Sequence, residues 1–197
     1  MKNIFLLAAL FIGIFKGIAQ EQPNIVLLFV DDYGWADVGF RNSKFHTPNI
    51  DQLKKDGFNF NRAYIATPTC SPSRASLLTG KEPVRFQMPR HIIDSKEKAA
   101  KNNIAGGEFN LWPTDPVQMP SRNWLPLEEV TYAERLKEFG YYNMFIGKWH
   151  LGSEKYHPVH QGFDAQYGTG DHGHPWVTTH LSLKQVIRYR IHQKELT

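Results

Sequence analysis

The chain has 197 residues, 41% apolar and 21% charged, with a formal net charge of +4. That balance is ordinary for a folded protein and excludes a disordered chain. The basic residues gather at Lys54-Lys55, Lys96 to Lys101 and Lys184 to Lys194 without an aromatic-interleaved stripe, so no nucleic-acid partner is expected.

The N-terminus reads MKNIFLLAALFIGIFKGIAQ. Lys2 gives a positive start, Ile4 to Phe15 an apolar stretch, and Gly17-Ile18-Ala19 the small residues that a signal peptidase reads. The 12 residues from Ile4 to Phe15 fall short of the roughly 20 that a bilayer span needs. Residues 1–19 are therefore expected to be a cleaved signal peptide and the protein to be exported, periplasmic or secreted, with no stable membrane span. Export permits disulfides, yet the single cysteine, Cys70, has no internal partner.

In chain order, Asn24 to Val30 is an apolar run with β-branched residues, the pattern of a buried parallel strand, and it ends at Asp31-Asp32. Thr47-Pro48 starts a helix that Gly57 stops. FNRAYIAT, residues 60–67, reads as a short strand, and Pro72 to Leu78 as a short helix ending at Gly80. Residues 81–127 are rich in Pro, Gly and Asn and read as a long insertion with little regular structure. TYAERLKEFG is an amphipathic helix closed by Gly140, and YNMFIGKW a strand after it. Strands alternating with helices predict an α/β fold with a mainly parallel sheet sandwiched by helices. Ligands in such sheets collect at the C-terminal strand ends, and Asp31-Asp32, Cys70 to Arg74 and Lys148-Trp149-His150 all fall near such ends.

Two adjacent carboxylates repel one another unless a cation or solvent intervenes. Asp31 and Asp32 therefore read either as ligands for a hard divalent ion, Ca²⁺ or Mg²⁺, or as two solvated acids in a turn. The helix after Cys70 favours an anion at its start, and Arg74 adds a planar fork for tetrahedral oxyanions. A cysteine-phosphatase loop needs a longer wrap between Cys and Arg than the three residues present here. Lys148 and His150 alternate along an expected extended segment, so both face one side and Trp149 the other. His46, His91, His157, His160, His172 and His174 read as polar surface.

CSPSRASLLTG resembles the sulfatase signature Cys-x-Pro-Ser-Arg followed by Leu-Thr-Gly. PNIVLLFVDDYGW is similar to the first strand and metal-binding acids of sulfatases, GYYNMFIGKWHLG to their Gly-Lys-Trp-His-Leu-Gly segment, and HQGFDAQYG to a stretch that commonly follows. The resemblance runs in order from about Pro23 to Gly170. It implies a type I, formylglycine-dependent sulfatase of the alkaline-phosphatase-like superfamily.

The resemblance further implies that Cys70 is a precursor. A formylglycine-generating enzyme, or an anaerobic sulfatase-maturating enzyme, would oxidise it to Cα-formylglycine. The hydrate of that aldehyde would be the nucleophile toward a sulfate ester, with sulfated carbohydrate the expected substrate class. Asp31, Asp32 and residue 70 would hold the cation, Ca²⁺ or otherwise Mg²⁺. Arg74 would steady the hydrate, Lys148 would donate to a sulfate oxygen, and His150 would serve as acid–base partner. Ser73 would guide the modifying enzyme and shape the turn.

Asp171-His172 has the shape of a further sulfatase metal pair, but it follows a glycine-rich loop and no strand. Asp171 to His174 are therefore expected beside the cleft and not on the metal. Further metal ligands of the family are not recognisable after Trp176, so residues 20–197 are expected to be the N-terminal part of a sulfatase catalytic domain, truncated before its second half. Two other readings stand beside the sulfatase. One is a phosphonate or phosphate monoester hydrolase with the same nucleophile, and the other a catalytically inactive remnant.

Overall fold

The computed structural model describes residues 22–93, 103–104, 107–111, 116–117 and 119–168. They fall in two units, one up to Phe58 and one from Asn59 onward. The leader expected over residues 1–19, residues Asp171 to His174 and the C-terminal tail lie outside the described residues.

In the first unit, helix α1 (Pro48–Asp56) starts where the Thr-Pro pair predicts. Proline suits this position because its fixed φ is already helical and its missing N–H has no intrahelical acceptor. Asp51 lies in the first turn and Lys54 and Lys55 in the last, each sign opposite to the helix-end charge it meets. Asp51 Oδ1 accepts from Thr47 Oγ1 at 2.9 Å and from the Phe40 N–H at 3.2 Å, and Thr47 Oγ1 accepts from the Gly39 N–H at 2.7 Å. These bonds tie the helix start to the preceding turn, and Gly57 closes the helix through its N–H to the Leu53 carbonyl.

The second unit holds helix α2 (Cys70–Thr79), a 3-10 turn over Pro83–Phe86, and three two-residue strands. Strands β1 (Asn103–Ile104), β2 (Phe109–Asn110) and β3 (Ser121–Arg122) form an antiparallel sheet in that order. Helix α3 (Tyr132–Glu138) follows, then β4 (Met144–Ile146) and β5 (Ala165–Tyr167), which pair in parallel with Phe145 opposite Gln166. Helix α3 opens on a complete capping box: Thr131 Oγ1 accepts from the Glu134 N–H, and the Glu134 carboxylate accepts from the Thr131 N–H. Helix α2 ends at Gly80 with φ 67°, left-handed backbone that glycine adopts without a Cβ clash.

Among the described residues of this unit, a core joins α2, the 3-10 turn and α3 to the segments between them. Ala75 and Leu78 of α2 pack with Phe86, Met88, Leu125, Ala133, Trp149, Leu151 and Phe163. Phe145 meets Trp149 and Phe163 edge to face, with ring centroids 5.1 and 5.3 Å apart. Full burial of each large side chain here contributes about 1.5–3 kcal/mol. Gly162 lets the chain pass against the start of α3, since its φ is 90° and a Cβ there would sit 2.8 Å from the Ala133 carbonyl carbon.

Two expected strands differ, and β5 takes in Gln166 and Tyr167, expected in a glycine-rich loop with no strand. The described ladders are β1–β2–β3 and β4–β5, and Asn24 to Val30 belongs to neither. Val26 and Leu28 are 80% and 75% exposed. A run apolar on both faces becomes a strand only with ladder neighbours and a covering layer on each face, and the described residues of this unit provide neither. Residues 60–67 are likewise extended or turn-like, and exposed up to Ala66. The 81–127 insertion carries more structure than expected, for it supplies three short strands and the core residues Phe86, Met88 and Leu125.

Candidate active site

Cys70 is the first residue of α2, half-buried and a free thiol. Thr69 ahead of it is extended, with φ −112° and ψ 150°, and its carbonyl accepts from the Ser73 N–H at 3.2 Å. Ser71, Pro72 and Ser73 are buried, which anchors the first turn of the helix in the protein and leaves Cys70 at its rim.

Two links join this helix to the segment that follows β4. Arg74 donates from Nη1 to the Lys148 carbonyl at 2.5 Å. Ser71 Oγ accepts from the Ile92 N–H at 3.0 Å, and His150 Nε2 lies 3.0 Å from the Ile92 carbonyl. Cys70, Arg74, Lys148 and His150 are thereby assembled in one unit.

The route to that assembly differs from the expected extended strand. Strand β4 stops at Ile146, and His150 adopts φ 57°, so alternation does not set which way its side chain faces. Burial does the sorting instead. Trp149 is 1% exposed and donates from Nε1 to the Tyr156 carbonyl at 2.9 Å, and His150 is 2% exposed, whereas Lys148 is half-buried.

Asp31 and Asp32 lie in a turn of the first unit, half-buried and exposed respectively. Asp32 has φ 52°; among the described residues, Asp32, Gln87 and His150 are the non-glycines in left-handed backbone. Such conformations cost free energy and gather at functional sites. Two of these three were singled out from sequence for chemistry alone.

Sequence reasoning passed over Ser71 and Ile92 and read His91, here half-buried, as polar surface. The His91 ring stands 6.3 Å from that of His150, tilted by 51°. Ser71 occupies the unspecified place of the signature, and Ile92 acts through backbone atoms, so neither residue type carried a signal. Beside β2 and β3, a groove of about 390 Å³ is lined by Val84, Gln87, Pro89, Phe109, Met119 and Pro120, all from the insertion.

The family model for sulfatases matches residues 23–180. The chain is 36% identical over 160 residues to N-acetylgalactosamine-6-sulfatase of Rattus norvegicus, covering 80% of this chain and 27% of that protein. It is 39% identical over 166 residues to arylsulfatase A of Homo sapiens, covering 81% and 28%. Among solved structures, Ps i-CgsB superposes with a TM-score of 0.52 at 35% identity, covering 84% of this chain and 31% of that one. A structure from work on glycosaminoglycan metabolism by Bacteroides thetaiotaomicron superposes with a TM-score of 0.55 at 30% identity, covering 75% and 28%.

These likenesses define an α/β protein of the alkaline-phosphatase-like fold, of which β4–β5 is the parallel pair among the described residues. The chain belongs to the sulfatase family. It spans about a quarter of the length of the curated relatives it matches.

The family implies a formylglycine and a divalent metal. The donors suit such a metal in part. Asp31 and Asp32 offer the hard oxygens that Ca²⁺ and Mg²⁺ take, whereas the Cys70 thiol is a soft ligand matched to neither ion. An oxygen-bearing side chain at residue 70 would resolve that mismatch.

Proposed function

We propose that the protein acts in the hydrolysis of sulfate esters, with sulfated carbohydrates as the substrate class. The observation that carries this reading is the double link from the signature helix to Lys148 and His150, through Arg74 and through Ser71 and Ile92. Family membership supports the reaction. The carbohydrate class is supported by a relative named for a sugar 6-sulfatase and by a solved Ps i-CgsB complex with k-i-k-neocarrahexaose.

A maturating enzyme would oxidise Cys70 to Cα-formylglycine, and the hydrate formed when water adds to that aldehyde is the proposed nucleophile, with Ser73 contributing to recognition of the loop. A divalent ion, Ca²⁺ in this proposal, supplies Lewis acidity that lowers the pKa of a bound hydroxyl. Asp31, Asp32 and the modified residue 70 would hold it. Arg74 fixes the Lys148 backbone and brings a permanent positive charge beside it. Lys148 is assigned to a sulfate oxygen, where negative charge grows in the transition state. His150 is assigned the proton transfers.

Residues 20–197 are proposed as the N-terminal part of the sulfatase catalytic domain and residues 1–19 as an export signal, with action in the periplasm or outside the cell. Residues 81–127 are the proposed source of substrate selectivity. The deciding experiment compares initial rates on an aryl sulfate and the matching aryl phosphate, using mature protein recovered from its own host. Faster sulfate turnover is expected. Faster phosphate turnover would replace this reading with a phosphate monoester hydrolase, and turnover of neither would leave an inactive member of the family.

A further inference from the structure

We infer that Ser71 is a positioning residue for His150, acting through Ile92 to keep the imidazole hydrogen on Nε2. The inference rests, for its catalytic meaning alone, on the acid–base role proposed for His150. Its geometry stands apart from that role.

Ile92 is held from both sides. Its N–H donates to Ser71 Oγ at 3.0 Å, and its carbonyl faces His150 Nε2 at 3.0 Å. A carbonyl only accepts, so this second bond forms when Nε2 carries the hydrogen. In the neutral ring the basic nitrogen is then Nδ1, and the partner of one ring nitrogen decides the role of the other. Ser71 is completely buried and His150 nearly so, with Ile92 half-buried between them. His150 also sits at φ 57°, a backbone state that persists only where its surroundings hold it. The Ile92 carbonyl is one such hold, and Ser71 fixes where Ile92 lies.

The residue beside the nucleophile position thus sets the proton geometry of the imidazole. Cys70 and Ser71 are consecutive in α2, so the nucleophile and the orientation of its proposed proton partner derive from a single helical turn. A serine that merely fills space would leave the tautomer untouched when its hydroxyl is removed.

The test is a long-range ¹H–¹⁵N correlation spectrum of the full chain with Cys70 unmodified, the His150 signals assigned by their loss in His150→Gln. The wild type is expected in the Nε2–H form. Ser71→Ala is expected to lower the ratio of Nε2–H to Nδ1–H by about five-fold, the scale of one ordinary hydrogen bond. Ser71→Thr should restore it. Ser71→Val has the shape of threonine without the acceptor, so the Thr and Val pair carries the test if the alanine variant does not fold. A wild-type ratio in the Ala and Val variants overturns the inference. Aryl sulfate turnover, read after residue 70 conversion has been checked by mass, separates the two claims. A shifted tautomer with unchanged turnover supports the positioning role and removes the acid–base role of His150.

Discussion

Arg74 reaches 74 residues along the chain to the backbone of Lys148, donating from Nη1 to its carbonyl at 2.5 Å. A side chain of the signature helix therefore fixes the main chain from which the lysine projects. A charged donor on a carbonyl is worth about 1.5–3 kcal/mol. Arg74→Ala is expected to lower the unfolding free energy by about that amount, read from urea denaturation. Arg74→Lys should recover little of it, because an ammonium lacks the planar fork. Full recovery by lysine would show that charge alone matters at this position.

Cys70→Ala is expected to abolish aryl sulfate turnover while leaving thermal unfolding close to wild type, since the residue is half-buried and its side chain small. Cys70→Ser should behave alike unless the maturating enzyme accepts serine. Wild-type rates in the alanine variant would remove residue 70 from the chemistry.

Chelation of divalent ions from the mature protein is expected to stop turnover, and Ca²⁺ to restore it. Asp31→Asn and Asp32→Asn should each raise the Kd for Ca²⁺ by roughly ten-fold or more, about 1.4 kcal/mol, in calorimetric titration. Restoration by Mg²⁺ alone would change the metal and keep the carboxylates.

Leu125 is fully buried, and its N–H donates to the Leu151 carbonyl at 2.9 Å, next to His150. Leu125→Ala is expected to cost about 2–5 kcal/mol of stability in denaturant unfolding. A cost below about 1 kcal/mol would mean that this core collapses around the space, as volume-tolerant sites do.

Asp164 gives a pH prediction. Burial raises its pKa, but the Asn143 N–H and the Lys137 ammonium outweigh burial and hold it below the ordinary carboxylate value. A carboxyl lowered in the folded state stabilises the protein above its unfolded pKa, and that contribution is lost as pH falls toward the folded value. Asp164→Asn should therefore flatten this part of the acid limb in a pH series of unfolding free energies. An unchanged limb would mean that other carboxylates govern acid unfolding.

Helix ends were the most legible part of the sequence, because they depend on local chemistry. Thr47-Pro48 and Gly57 bracket α1 and Gly80 ends α2 as read, whereas α2 begins at Cys70, two residues before the expected Pro72, and α3 ends at Glu138, short of Gly140. Strand content was less legible. The apolar run Asn24 to Val30 has the composition of a central strand, yet strand formation is a property of neighbours as much as of the run itself. The insertion concealed its core residues for a different reason. Phe86, Met88 and Leu125 stand singly among prolines and polar residues, and isolated apolar positions have no period to read. The site was legible as residue types and less so as geometry. Lys148 and His150 were singled out together, but the left-handed backbone of His150 and its bond to Ile92 arise from packing that alternation ignores.

The connection between β4 and β5 has two halves of unlike tolerance. Its first half, Lys148 to Gly152, is clamped by Arg74, by the buried Trp149 and by the Leu125–Leu151 bond. Its second half contains Ser153, Glu154 and Lys155, all exposed, before the chain returns to the parallel register of β5. Glu154 and Lys155 open a 3-10 turn whose third residue, the buried Tyr156, accepts from Trp149, so added length at Ser153 must loop outward and leave Tyr156 in place, at a cost that grows by only about 0.6 kcal/mol per doubling. A single extra residue in the first half would displace the lysine and histidine from their anchors. Ser153, exposed and ahead of that turn, is therefore the point in this connection where the chain can lengthen at least cost.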